Sequence, residues 1–145
     1  MDWDGVDPAD QSELEGTQGI CPAGWYVPTD NDIKILEGYV DSTYGIGDLE
    51  WDKSNTLRGD DVGTKLKSSE YWDGTDDYNF NTLPAGYIWY ANGSLSGVGS
   101  ISYWWSSSPS DSNAWGRYFN TSNTSVYRHT YSQASGFSIR CLLGP

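Results

Sequence analysis

Polar and apolar positions change their period along the chain. Across residues 31–40 the apolar side chains Ile33, Leu36 and Tyr39 or Val40 return every three or four positions, the spacing of one helix face. Thr29 or Asp30 stands just ahead of them as a helix cap. A second, shorter helix is expected over residues 61–67, where Val62 and Leu66 lie four apart. After residue 70 the period becomes two, with turn signals every few residues from 71 to 100. "ISYWWSSS" reads as a strand, and "NAWGRYFN" and "TSVYRHTYS" as two more joined by a short Ser/Asn turn. "GFSIRCLL" closes the set, with Phe137, Ile139 and Cys141 on one side and Ser138 and Arg140 on the other. Near the start, "GWYVPT" is a short strand ending in a turn. Two small helices followed by strands and long loops make an α+β domain. Residues 1–18 are expected to form an acidic arm or edge strand of that domain, and residues 19–145 its body.

Composition sharpens this picture. The chain has 145 residues, enough for one domain with a core, and carries eight Trp, eleven Tyr and seventeen Gly. A few large rings can fill such a core while glycines turn the chain. Net charge is −12, yet no Asp, Glu or Lys follows Asp111, where Arg117, Arg128 and Arg140 are the only charges. Three spaced arginines are too few for a nucleic-acid surface, so no such partner is expected. No apolar run approaches the ~20 residues of a membrane span, so no insertion is expected. Cys21 and Cys141, one near each end, suggest a disulfide tying the first strand to the last; the alternative is two buried thiols.

Candidate chemistry is sparse. His129, the one histidine, has Thr and Tyr neighbours and no partner expected of a hydrolase triad. The pairs Asp60-Asp61 and Asp76-Asp77 read as solvated loop charges rather than catalytic carboxylates. "MDWDGVDPAD" lacks the ligand order of an EF-hand loop, leaving calcium a weak alternative there. No cysteine pair suits zinc, so neither metal nor cofactor is expected, and nothing marks an enzyme. The tripeptide Arg58-Gly59-Asp60 has an adhesion-type form that arises often by chance. Trp51, Trp72, Trp89, Trp104, Trp105 and Trp115 are either core rings or, where exposed, platforms for sugars.

Six phrases occur in an order that marks a family: "GICPAGWYVPTDNDIKILEGYV", "GTKLKSS", "FNTLPAGY", "YWWSSS", "NAWGRYFN" and "GFSIRCL". Over residues 19–142 the chain resembles the Fibrobacter succinogenes major paralogous domain family. That resemblance implies a C-type lectin-like fold, with paired terminal strands, two helices and a ligand-binding face of loops and strands. The calcium-ligating motifs of calcium-dependent lectins are missing, so calcium-assisted sugar binding does not carry over. The fold also resembles that of the formylglycine-generating enzymes, a third and weaker reading.

The resemblance extends to variable proteins of diversity-generating retroelements, including examples from archaeal viruses. There a reverse transcriptase randomises template adenines, so Asn codons yield many residues but never Lys, Glu, Gln, Met or Trp. The polar run within a variable region of about residues 104–135 meets that restriction. A template with Asn at Gly116, Tyr118, Asn120, Thr121, Ser122, Asn123, Ser125, Tyr127, His129, Thr130, Tyr131, Ser132, Ala134 and Ser135 reaches every residue seen. Gln133 is not reachable and belongs with fixed Arg117, Phe119, Thr124, Val126 and Arg128. Those fourteen positions are the expected contacts, mostly exposed and gathered on one face. Trp104, Trp105, Trp115, Val126, Phe137 and Ile139 are expected to stiffen the surface from beneath. Tyr supplies contact area at small entropic cost and Ser, Asn, Gly and Thr adapt, as in antibody paratopes. The expected function is recognition of a protein or cell-surface ligand by a monomeric domain at an extracellular, cell or virion surface. The alternative is a secreted carbohydrate-binding or adhesion module without diversification.

Overall fold

Thr29 opens the first helix with a reciprocal cap. Its hydroxyl accepts from the Asp32 N–H, while the Asp32 carboxylate accepts from the Thr29 N–H at 2.9 Å. In the computed structural model, which describes residues 15–144, this helix, α1, spans Asp30–Val40. Ile33 and Val40 turn inward as the spacing requires, but so do Asp30, Glu37 and Gly38. Gly38 permits a close crossing, since a Cβ there would lie 2.7 Å from the Gly45 carbonyl oxygen. The second helix, α2, is five residues long, Val62–Leu66, and buries Val62 and Leu66. Asp41, at the end of α1, holds the chain to it: one carboxylate oxygen accepts from the Asp60, Asp61 and Val62 N–H groups.

Among the described residues eight strands accompany the helices. They are β1 (Trp25–Tyr26), β2 (Thr56–Arg58), β3 (Tyr87–Ile88), β4 (Leu95–Ser96), β5 (Ile101–Ser110), β6 (Asn113–Asn120), β7 (Val126–Ser132) and β8 (Leu142–Leu143). The main sheet is antiparallel in the order β2-β7-β6-β5, and β1 pairs with β8 and β3 with β4. The α+β reading holds: two short helices, antiparallel sheets and long connections. Along β5 buried and half-buried residues alternate, so Ser102, Trp104, Ser106 and Ser108 face inward. Trp104 joins Phe119, Val126, Val40, Trp51, Val62 and Leu66 in the core, between the sheet and the helices.

The terminal strands meet, with Trp25 opposite Leu143 and Tyr26 opposite Leu142. Cys21 and Cys141 form a disulfide, with Cα atoms 5.8 Å apart, that links positions 120 residues distant in sequence. "GFSIRCLL" departs from the single strand expected of it. Gly136 bridges Ile88 and Ser138 bridges Trp104, so the segment's hydrogen bonds go to two different neighbours before β8 forms. Residues 15–18 return to the body, where the Gly16 N–H donates to the Ser107 hydroxyl at 2.9 Å. The rest of the expected acidic arm, with "MDWDGVDPAD", lies outside the described residues.

Candidate ligand-binding face

The two arginines of β6 and β7 lie under the sheet and offer no charge to its outer face. Arg117 is fully buried; its Nε donates to Glu37 Oε1 and its Nη1 to Asp30 Oδ1, both at 2.7 Å. Arg128 holds Asp30 with two donors, Nε at 3.0 Å and Nη2 at 2.6 Å, and its guanidinium lies 3.5 Å above the Trp115 ring. Arg58 adds a third cation, donating to Glu37 Oε1 at 2.7 Å and to the Trp51 carbonyl at 2.7 Å. Burial works to raise the Asp30 carboxyl, but Arg128 and Arg117 outweigh it and hold that carboxyl well below the ordinary range. Helix α1 is thereby pinned to β6 and β7 through side chains that point away from the outer face. Arg58-Gly59-Asp60 therefore presents no adhesion motif, because its arginine is spent in this network.

On the outer face the register stacks rings across strands. Tyr103 lies opposite Tyr118, and Tyr118 opposite Tyr127. Ring centroids are 4.9 Å apart for Tyr103–Tyr118 and 6.3 Å for Tyr118–Tyr127. Tyr131 meets Tyr103 at 5.3 Å, nearly perpendicular, and His129 stands between Tyr127 and Tyr131. Phe137 stacks on both Tyr103 and Trp105, at 4.6 and 4.3 Å. Burial, and after it the neighbouring tyrosines, pushes Tyr103 up to about 12 and raises Tyr131 further, so both phenols stay neutral.

The turn between β6 and β7 is held through its backbone. Buried Lys67 donates to the Asn120 and Asn123 carbonyls at 3.2 and 3.0 Å and to Asp73 Oδ1 at 2.7 Å. The other Asp73 oxygen accepts from the Ser122 N–H at 2.6 Å, and the Thr124 carbonyl accepts from Gly63 and Thr64. Gly63 is required there, since a Cβ would fall 2.6 Å from the Ser125 carbonyl. Two turn side chains are engaged as well: the Thr121 hydroxyl receives the Trp72 indole N–H at 2.9 Å, and the Ser125 hydroxyl donates to the Gly59 carbonyl at 2.8 Å.

The fourteen expected contacts divide. Tyr118, Asn120, Tyr127, His129 and Tyr131 share the outer face by strand parity. Thr121, Ser122, Asn123 and Ser125 form the turn, and Ser132, Ala134 and Ser135 lie at the far end of β7 and beyond. Ser122, Thr121 and Ala134 are exposed, whereas the tyrosines and His129 are half-buried by one another. Two positions need correction. Gly116 is buried, and a Cβ there would lie 2.9 Å from both the Trp104 carbonyl oxygen and the Tyr131 ring. Thr130 shares the parity of Val126 and Arg128 and pairs with Trp115, so its side chain leaves the face. Of the stiffening residues, Trp104 and Val126 are buried beneath. Trp105 and Phe137 instead stand among the outer rings, and Trp115 and Ile139 are half-buried.

Residues outside that set complete the face. Tyr103 sits at its centre, and the β3–β4 hairpin adds Tyr87, 4.9 Å from Tyr103, with Trp89 and Tyr90 beyond. The two N–H···O bonds exchanged by Ile88 and Gly136 dock this hairpin against the main body. Alternation along "ISYWWSSS" puts Tyr103 on the opposite side from Trp104, whereas nothing local joins residues 87–90 to strands that begin eleven or more positions away. Tyr87, Trp89, Tyr90, Tyr131, Phe137 and Ser135 help line an open basin of about 310 Å³. No Lys, Arg, Asp or Glu among the described residues lines it. Among the described residues no group of three His, Cys, Asp or Glu is placed to hold a metal, and Asp61 and Asp76 serve loop hydrogen bonds. No helix among them is long and apolar enough to cross a membrane.

An α+β domain with a ring-covered sheet face above an arginine–carboxylate floor defines the class of this molecule. Residues 10–142 match the model of the Fibrobacter succinogenes major domain, and the chain belongs to that family. No curated protein and no solved structure matches it significantly.

Proposed function

We propose that this chain is a ligand-recognition protein with a C-type lectin-like fold, and that its outer sheet face is diversified by a retroelement, as in variable proteins of archaeal viruses. The carrying observation is the division of labour in β6 and β7. Alternate residues Arg117, Phe119, Val126 and Arg128 are buried and committed, while Tyr118, Asn120, Tyr127 and His129 stand on the outer face. The paired termini, two helices and looped sheet support the fold. The disulfide supports an oxidising location such as a cell or virion surface. The ligand is a protein or other cell-surface molecule, met by a monomeric domain without catalysis or nucleic acid.

A display library tests this. Positions 118, 120–123, 125, 127, 129, 131, 132, 134 and 135 are randomised with the codons an Asn template reaches. Most members are expected to fold, and selection on an unrelated protein should return binders with changes confined to this face. General loss of folding would overturn the reading. A near-repeat of the 3′ coding region differing only at adenines, beside a reverse transcriptase, is the expected genomic counterpart. The exposed ring of Trp89 favours a second reading, a carbohydrate platform, which a glycan array with Trp89→Ala separates from the first.

A further inference from the structure

This chain satisfies its own aromatic rings with its own cations. Arg58 lies over Trp51, Lys67 over Trp72, Arg128 over Trp115 and Arg140 over Phe80, at 3.5 to 5.6 Å. The largest ring cluster, around the basin, has no such partner and no lysine or arginine in its lining. Its rings meet at steep angles: Tyr87–Trp89 at 79°, Tyr103–Tyr131 at 89° and Tyr131–Phe137 at 78°. A group seated among mutually perpendicular rings is not edge-on to all of them, so it meets the negative face of at least one. Burial keeps the Tyr103 and Tyr131 phenols in its lining neutral, and the chain's net charge of −12 attracts cations and repels anions.

We propose that the basin between the β3–β4 hairpin and β7 takes a compact organic cation, an alkylated ammonium group carried by the ligand, held by cation–π contact with Trp89, Tyr87 and Tyr131. This rests on the outer face being a recognition surface and names the chemistry that one end of it selects. Trp89, Tyr87 and Phe137 are not among the fourteen diversified positions. The basin therefore has one constant wall, the hairpin with Trp89 and Tyr87, facing a changing one that includes His129, Tyr131, Ser132 and Ser135, and the constant wall gives every variant the same weak anchor. A saccharide would need a broad free ring face as well as the polar groups that Asn113, His129, Ser132 and Ser135 supply. Here the Tyr103, Phe137 and Trp105 faces are taken by one another.

Calorimetric and indole-resonance titrations of the intact disulfide-bonded chain test this, with choline against its uncharged tert-butyl isostere. Choline is expected to bind at least about tenfold more tightly than the isostere. Trp89→Ala should remove most of that binding while leaving the melting temperature unchanged, because Trp89 is 43% exposed. Trimethyl-lysine amide and phosphatidylcholine vesicles then tell whether a modified side chain or a lipid headgroup is the natural source. Equal binding of the isostere, methyl glycosides outbinding choline, or choline binding untouched by Trp89→Ala would each overturn the proposal. The library experiment above is independent: folded, selectable libraries without choline binding sink the subsite alone, and unfolded libraries sink the recognition reading.

Discussion

Gly116 and Asp30 mark the two limits of what the outer face tolerates. At Gly116 the sheet leaves no room between the Trp104 carbonyl and the Tyr131 ring, each 2.9 Å from an added Cβ. Gly116→Ser is therefore expected to cost about 1–3 kcal/mol, read as a lower midpoint in urea, although serine lies within the codon set a diversified position reaches. Asp30 works from below. Its folded pKa lies below the unfolded value, so its contribution is complete above about pH 4. As pH falls from there toward the folded value, the unfolded chain takes up the proton first and the contribution disappears. Asp30→Asn leaves two buried guanidiniums short of a carboxylate, and about 3–5 kcal/mol should be lost at pH 7. The same variant should show a flatter fall in stability from pH 5 to pH 2 than the parent. An unchanged acid limb would show that Asp30 is not the group responsible.

Strands β6 and β7 were legible because their neighbours impose strict alternation on them. "NAWGRYFN" became Asn113–Asn120 without adjustment, since Arg117 and Phe119 have fixed partners below and Tyr118 and Asn120 do not. "GFSIRCLL" misled for the opposite reason: its backbone serves the β3 hairpin, β5 and β1 in turn, which no period of two encodes. The β6–β7 turn takes its shape largely from backbone contacts rather than from its own side chains. Its carbonyls and amides bond to Lys67, Asp73, Gly63 and Thr64, all within the "GTKLKSS" segment or shortly after it. Lys67→Met, which keeps the length and removes the three donors, should cost about 2 kcal/mol. Hydrogen exchange at the Ser122 amide should accelerate at least tenfold while the Tyr118 amide, within β6, keeps its protection. Uniform acceleration over turn and strand would mean that Lys67 supports the whole sheet rather than the turn.

Across the molecule, the buried ion network and the ring-covered face occupy opposite sides of one sheet, and the chain ends are fastened away from both. The sequence could pair Cys21 with Cys141 and place Trp104 and Val126 inside. It could not show that Arg117 and Arg128 converge on Asp30 and Glu37, because those partners lie 80 to 98 positions away and carry no periodic signature. Nor could it show that Trp89 and Tyr90 join the face. The terminal pairing of β1 and β8 is only two residues long on each strand, too little to hold by itself. The disulfide therefore does the fastening, and closing a loop of 120 residues contributes about 4–5 kcal/mol in the loop-entropy account. The Cys21→Ser, Cys141→Ser double variant should melt about 10 °C or more below the parent. Its residues 15–28 and 139–144 should become the first sites of proteolysis. The ring face, whose supports are the buried ion network and the Lys67 clamp, should be retained below that melting temperature. Near-ultraviolet circular dichroism from its tyrosines would report this, and loss of that signal together with the terminal strands would show that the face depends on the closure.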